Sequence, residues 1–398
     1  MSLLTEDIYV VISRAISPHA KVLDHRIEPF SEGKNGIFGE HRLLVVEVEL
    51  AGANINKSFF VKTPPESSLI TDFIMDESTF VEEVNFYQQV QPLMMQNYKG
   101  ESWSANCYLT KKNLLVFEDL RSQNYTTRSD FPMDGQSIKQ TLATLARFHA
   151  SSVLTEKKLG RSLKQAFPGS FEEIVYTKNK KFGLSTPIAY EAMKMMATKY
   201  GFQDSVNLVP KIHDRVHNLV RERKDQCNVI CHSDLWRNNI MFNDEGGESS
   251  CILVDFQLLR YASPAVDINM FLYLNTTLEY RKTNEMLLFK HYYSVFSETL
   301  VKNSCELNGV LSYSEMLKNY QKHKLVGLTY AAMYGPGLHL KPAEIAKLMN
   351  DAQLLTDWLM HDRNSFIKSN LDADPVYEEK IKNIIYELME EAKQTFHS

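Results

Sequence analysis

The chain has 398 residues, of which 44% are hydrophobic and 23% charged, enough for more than one average domain and a large core. A formal net charge of −5 leaves no basic footprint for nucleic acid or for an anionic membrane surface. No run of 18 apolar residues is present, so no membrane-spanning helix is expected.

The opening "MSLLTEDIYVVISRAI" is interrupted by Glu6, Asp7 and Arg14, unlike a signal peptide. Its Ile8, Val11, Ile12 and Ala15 fall at helical spacing. "RLLVVEVEL" (Arg42–Leu50) and "KSFFVK" (Lys57–Lys62) read as strands, separated by the turn-prone "AGANIN" and stopped by "PPESS". "STFVEEVNFYQQVQPLM" reads as a helix with Phe80, Val84 and Tyr87 on one face. "NLLVFEDL" (Asn113–Leu120) is another strand, and the polar "RSQNYTTRSD" after it is the expected hinge between residues 1–121 and 122–398.

The remainder is mostly helical. Ile138, Leu142, Leu145 and His149 share a face. Further helices are expected around Tyr313–Tyr334, closed by Gly335–Gly337, around Ala343–Met360, and around Tyr377–Phe396, where Ile381, Ile384, Ile385, Leu388 and Met389 form the apolar stripe. One island of β interrupts them: "NIMF" (Asn239–Phe242) and "CILVDF" (Cys251–Phe256) flank the turn "NDEGGESS" and read as a hairpin. The five cysteines are scattered and odd in number, which suits reduced thiols in a cytoplasmic protein. Cys227, Cys231, His232 and Cys251 lie close in sequence, but without a CxxC pair they make a poor zinc set.

The chemistry concentrates in "VICHSDLWRNNIMF", Val229 to Phe242. Asp234 and Asn239 precede the hairpin and Asp255 follows it. Magnesium takes oxygen ligands, commonly one or two protein groups plus substrate phosphates, and Asn239 and Asp255 suit that work. Asp234 is then free to orient and deprotonate a hydroxyl. The spacing His-x-Asp-x-x-x-x-Asn with a later Asp-Phe matches the catalytic loop and metal motif of kinases. Upstream, Lys62 is placed to grip ATP phosphates and Glu83 to pair with it, although Glu82 is an equal alternative. Gly33, Gly36 and Gly39 of "EGKNGIFGE" would let backbone N–H groups approach phosphates, or merely make a turn. "FEDL", with Glu118 and Leu120, can offer main-chain hydrogen bonds to adenine. His149 reads as a packed core residue and His232 as a scaffold for the loop. Trp236 either packs that loop or forms an apolar wall beside the acceptor. A glycosidase acid pair would give Asn239 no role.

"HSDLWRNNIMF", "ILVDFQ", "FVEEVNFYQQVQPLM", "LLVFEDL" and "LARFHASS" together resemble the ecdysteroid kinase-like family of insects and other invertebrates, itself similar to choline kinases and aminoglycoside phosphotransferases. The resemblance runs from about Ile27 to Tyr273. It implies an α+β, protein-kinase-like two-lobe fold: a small β-rich N-terminal lobe that binds the nucleotide and a large helical C-terminal lobe that holds the catalytic loop and the acceptor. It implies ATP and Mg²⁺ as cofactors and a small hydroxylated molecule as partner, an ecdysteroid or a xenobiotic such as a plant toxin, with no protein partner indicated. By motif, Asp234 would be the base, Asn239 and Asp255 the metal ligands, Lys62 the phosphate-binding lysine with Glu83 as its partner, and Asp267 of "SPAVDI" the buttress of the catalytic loop. Ser233 stands where protein kinases have Arg, Gln257 where they have Gly, and the span from Asp255 to Ser263 is short for a peptide-docking segment. The first and the last of these features point away from a protein substrate, and the Gln is tolerated in small-molecule kinases of this type. Arg237 is a candidate for the charge of the missing catalytic-loop lysine. A choline or ethanolamine kinase is the nearest alternative, and a non-catalytic pseudokinase the more distant one.

Overall fold

The computed structural model describes residues 3–30, 40–64, 78–177, 180–245, 250–307 and 310–397. It is a mixed α+β, kinase-like two-lobe fold in which a β-sheet region precedes a helical C-terminal part. Five antiparallel strands form the first sheet in the order β1 (Lys21–Pro29), β2 (Glu40–Leu50), β3 (Ala53–Thr63), β5 (Leu114–Glu118) and β4 (Cys107–Lys111). Alternation decides which face each side chain meets. Leu44, Val46, Val48, Phe59 and Val61 turn to one face and are covered by Ile8, Val11 and Ile12 of α1 (Thr5–Ala15). Lys62, one residue on, turns to the other face.

Several expected boundaries move. The β2–β3 connection is only Ala51 and Gly52, both at positive φ, and residues 53–56 of the "turn" pair with β2. A two-residue hairpin of this kind lets pairing continue to its tip. β1 and β4 were not expected. Both are edge strands, and β1 is exposed along most of its length, so it carries little apolar alternation. The helix read from Ser78 onward, α2, runs over residues 78–96 through a π turn at Phe86–Val90.

The polar loop after β5 is tied down. Thr126–Thr127 (β6) pairs with β8 (Ile240–Asn243), which pairs with β9 (Ser250–Leu253), so the expected hairpin forms with a third strand on its edge. β7 (Val229–Cys231) pairs with β10 (Arg260–Ala262), and residues 232–239 are strung between β7 and β8. Beneath them lies α3 (Gly135–Leu159), whose Ile138, Leu142, Leu145 and His149 are fully buried as their spacing predicts.

The later helices break differently from expectation. The segment from Tyr313 divides at His323 into Tyr313–Lys322 and α4 (Lys324–Leu338). Gly335–Gly337 does not end α4: Pro336 lies in its last turns, where a lost N–H bond disrupts little of the ladder. The helix expected over Ala343–Met360 stops at Asn350, restarts after the Asp351 cap and ends in a π turn at Asp357–His361. α4 packs on α5 (Ala265–Asn275) so closely that a Cβ on Gly327 would lie 2.7 Å from the Asn269 carbonyl oxygen. No helix among the described residues is long and apolar enough to cross a membrane.

Asp134 caps α3, accepting from the N–H groups of Gln136 (3.0 Å) and Ser137 (2.9 Å). Asp134→Ala is expected to lower unfolding free energy by about 1 kcal/mol, measured by urea denaturation with an unchanged m-value.

Candidate active site

Lys62 donates to Glu83 Oε2 at 2.5 Å and to Asp255 Oδ1 at 2.7 Å. The Lys62 and Glu83 side chains are 5% and 1% exposed, so water does little to screen their attraction. Burial alone would depress the Lys62 pKa, but the charges of Asp255 and Glu83 outweigh it and hold it above the usual lysine value. Burial pushes Glu83 upward while Lys62 opposes it. An ammonium shared by two carboxylates keeps its proton, so the contact is ionic. Glu82 points elsewhere, as helical neighbours must. It accepts from the Phe171 N–H at 3.0 Å, and burial raises its pKa to about 7. The structure thereby selects Glu83 as the partner of Lys62.

The loop of residues 232–239 is clamped by one carboxylate. Asp267, fully buried at the start of α5, accepts from the N–H groups of His232 (2.6 Å) and Ser233 (2.9 Å). His149 Nε2 lies 3.1 Å from the same carboxylate, and its Nδ1 lies 2.6 Å from the Tyr292 hydroxyl. Ser233 sits at φ 66°, a conformation that costs a non-glycine residue about 1–2 kcal/mol, and the clamp on its own N–H offsets that cost. His232 is buried, with a depressed pKa caused mainly by that burial, and its Nε2 lies 3.0 Å from the Val254 carbonyl. The structure gives both histidines scaffold positions.

Asp234, next along, is partly reached by solvent. Loss of hydration, then the nearby charge of Asp255, raises its pKa to about 7, against the pull of Asn239 and Lys62. Asn239 Nδ2 donates to the Asp234 carbonyl (2.9 Å) and to its Oδ2 (2.8 Å). The Asn239 carbonyl accepts from Val254 N–H at 3.0 Å, which sets Asn239 beside the residue preceding Asp255. Asp255 has φ 70°. Phe256 after it is anchored in an aromatic cluster, with ring centroids 4.8 Å from Phe86, 5.5 Å from Phe148 and 4.7 Å from His232. Gln257 Nε2 lies 3.3 Å from Asp255 Oδ2. With the Asn239 amide nitrogen engaged by Asp234, its side-chain oxygen and the Asp255 carboxylate form the kind of all-oxygen donor set that a hard divalent cation takes.

Gly33, Gly36 and Gly39 lie outside the described residues. The Glu118 side chain is occupied by Asn106 N–H (2.7 Å) and Gln123 Nε2 (2.9 Å), and its own N–H donates to Asn106 O (3.0 Å). Leu120 is buried, and its carbonyl accepts from Tyr125 N–H. Trp236 is half-buried against the main core. Arg237 Nη2 donates to the Leu338 carbonyl at 2.9 Å, tying the loop to the end of α4. Asp119, which the sequence did not single out, is buried, takes the Ser58 hydroxyl at 2.7 Å and caps the turn after β5. All five cysteines are free. Cys231 lies with His149 and Asp267, their ligand atoms within 4.8 Å of one another. Its thiol reaches the carbonyls of Ser263 and Ala262, and burial holds its pKa well above the usual value. A protonated thiol beside a carboxylate already engaged makes this a structural cluster.

Residues 42–304 match the family model of the ecdysteroid kinase-like family. An uncharacterized kinase-like protein of Caenorhabditis elegans is 22% identical over 248 residues, 61% of each chain, so the chain spans under two thirds of that relative's length. Among solved structures, the chain is similar to a Plasmodium vivax ethanolamine kinase at 13% identity and TM-score 0.43, covering 94% of this chain and 90% of the other. It is also similar to the choline kinase LicA of Streptococcus pneumoniae at 13% identity and TM-score 0.39, covering 93% and 99%.

A carboxyl group whose folded pKa lies above its unfolded value stabilises the fold at low pH, and that contribution is lost as pH rises through the folded pKa. Asp234, raised to about 7, therefore weakens the fold at pH 8. Asp234→Asn is expected to melt higher than the parent at pH 8 and to lose that advantage at pH 5, measured by calorimetry at both values.

Proposed function

The chain belongs to the ecdysteroid kinase-like family, and on that premise we propose that it transfers the γ-phosphoryl group of ATP to a hydroxyl of a small molecule, an ecdysteroid-like or xenobiotic alcohol. The observation that carries this reading is the meeting of Lys62, Glu83 and Asp255, far apart in sequence, beside the hydrogen-bonded pair Asp234 and Asn239. Lys62, fixed by Glu83, would hold ATP phosphates. Asn239 and Asp255 would hold Mg²⁺, which when bound offsets phosphate charge. The main chain of Glu118 to Leu120 would border adenine, and Gly33 and Gly36 would approach the phosphates.

The chain's own groups then account for the transfer. The acceptor O–H gives its proton to the Asp234 carboxylate. The oxygen lone pair forms the new O–P bond at the γ-phosphorus. The bond from that phosphorus to the bridging oxygen breaks, and ADP leaves with the electron pair. Asn239 holds the Asp234 carboxylate in place, and the Asp267 clamp fixes the backbone that carries it. Trp236 would supply an apolar wall for the acceptor. Five free thiols and an acidic net charge suit a cytoplasmic enzyme.

Three outcomes test the proposal. Asp234→Asn is expected to lower kcat by about 10²–10⁴-fold with little change in Mg²⁺–ATP affinity by titration calorimetry. Near-parental turnover would remove Asp234 from the mechanism. Because the carboxylate must be ionised to take the proton, kcat/KM for the acceptor should fall roughly tenfold per pH unit below about 7 and level off above it. Asp255→Ala should abolish the Mg²⁺ dependence of nucleotide binding. Binding of Mg²⁺–ATP without consumption against a broad panel of alcohols would instead favour a pseudokinase.

A further inference from the structure

The Asp255 carboxylate is held at both of its oxygens. Lys62 Nζ donates to Oδ1 at 2.7 Å, and Gln257 Nε2 donates to Oδ2 at 3.3 Å. Lys62 and Gln257 are both buried, whereas the Asp255 side chain keeps 27% of its surface open. The donors thus stand on the interior side of the carboxylate and leave its outer side to solvent. A carboxylate has about four lone-pair sites, so one donor on each oxygen leaves the group able to bind a cation as well.

Gln257 is the less expected of the two donors. It stands where protein kinases have glycine, in the turn between β9 and β10, and its neighbours Phe256, Leu258 and Leu259 are buried apolar residues. Burying a glutamine costs about 1.5–2 kcal/mol of side-chain freedom, and its amide is tolerated away from water only when hydrogen-bonded. A methionine would occupy the same space without that demand. What the amide adds over an apolar side chain is its hold on Asp255.

The two donors also answer a nucleotide differently. Phosphate oxygens carry charge and compete with Asp255 for the Lys62 ammonium. They have far less hold on a neutral amide that is already buried. With phosphates drawing on Lys62, the Gln257 hydrogen bond is the constraint that stays on the carboxylate.

We propose that Gln257 is a positioning residue for the divalent cation, holding the Asp255 carboxylate in one orientation and thereby favouring Mg²⁺ over Ca²⁺. This rests on the phosphotransfer reading above and adds no bond-making step to it. Mg²⁺ demands near-ideal octahedral geometry with oxygens at about 2.0–2.1 Å. Ca²⁺ takes about 6–8 oxygens at about 2.3–2.6 Å in flexible arrangements that include both oxygens of one carboxylate. A carboxylate that cannot swing suits the first ion and penalises the second. Groups that orient a metal ligand typically contribute about 10–100-fold in metal affinity.

The experiment uses the full chain with ADP and no acceptor, so that metal binding is read without turnover. Mn²⁺, which takes the same octahedral oxygen sites as Mg²⁺, is titrated and followed by electron paramagnetic resonance. It is then displaced with Mg²⁺ or with Ca²⁺, and ADP without protein is the reference. The parent is expected to prefer Mg²⁺ to Ca²⁺ more strongly than ADP alone does. Gln257→Met keeps the length of the side chain and removes the donor. It should weaken Mn²⁺ and Mg²⁺ about 10–100-fold and Ca²⁺ less, with Tm and the affinity for ADP in EDTA unchanged. Should this variant fold poorly, Gln257→Asn, whose amide falls one carbon short of Asp255, is expected to show the same selective loss. Unchanged Mn²⁺ affinity and ion preference in the variant would overturn the inference and leave the kinase reading standing. Equal losses for all ions together with a lowered Tm, or a parent that prefers Mg²⁺ no more than ADP alone does, would do the same. Failure of the parent to hold Mn²⁺ and ADP together overturns both this inference and the cation assignment on which the kinase reading depends.

Discussion

The Lys62 ammonium joins three parts of the chain at one point: the end of β3, the helix carrying Glu83, and the turn after β9 carrying Asp255. Taking charges out of water costs several kcal/mol per ion, so a buried lysine is tolerated only where partners surround it. Here two carboxylates do so. The arrangement is weak as a source of net stability and strong as a constraint on geometry. Moving any of the three elements would strand a charge in a dry site.

The second constraint lies below it. Asp267 accepts two backbone N–H groups of the loop that carries Asp234 and lies beside His149, all without solvent. That anchorage lets Ser233 hold a left-handed conformation and fixes the backbone that leads to Asp234. Anchorage by Phe256 does the same for Asp255, whose φ is also positive. Asp255 and the residue before Asp234 thus hold strained backbone kept in place by rigid neighbours, as a preorganised site would require. The close approach of α4 and α5 at Gly327 packs α4 tightly on the helix that carries Asp267.

Parts of this were legible because the chemistry is local. Asp234 and Asn239 lie five residues apart on one loop, so their nearness could be read from spacing, and a hydrogen bond joins them. The helical stripe of α3 and the strands around Val46 and Val61 were legible because each buries one clear face. The edge strands β1 and β4 were not: β1 is exposed along most of its length, and β4 buries only Leu109 fully, so neither carries a clear alternation to read. Gly335–Gly337 looked like a helix end because glycine and proline weaken a helix locally, but packing against neighbouring helices overrides that preference. The choice between Glu82 and Glu83 could not be read, because the two are adjacent and only the direction of the helix separates them.

By itself the sequence determined the order of the chemistry: a lysine at a strand end, a helix glutamate, a His-x-Asp loop with its Asn, and an Asp after a hairpin. Residue identity and short spacing suffice for that, since they settle which groups can accept a proton or hold a cation. Only the tertiary structure decided that Lys62 meets Asp255 across 193 residues. Only it decided that burial raises the Asp234 pKa, and that Arg237 of the same loop reaches the Leu338 carbonyl at the end of α4. Contacts of that kind arise where distant elements pack on one loop, and that packing is set by the whole core rather than by any stretch that can be read alone.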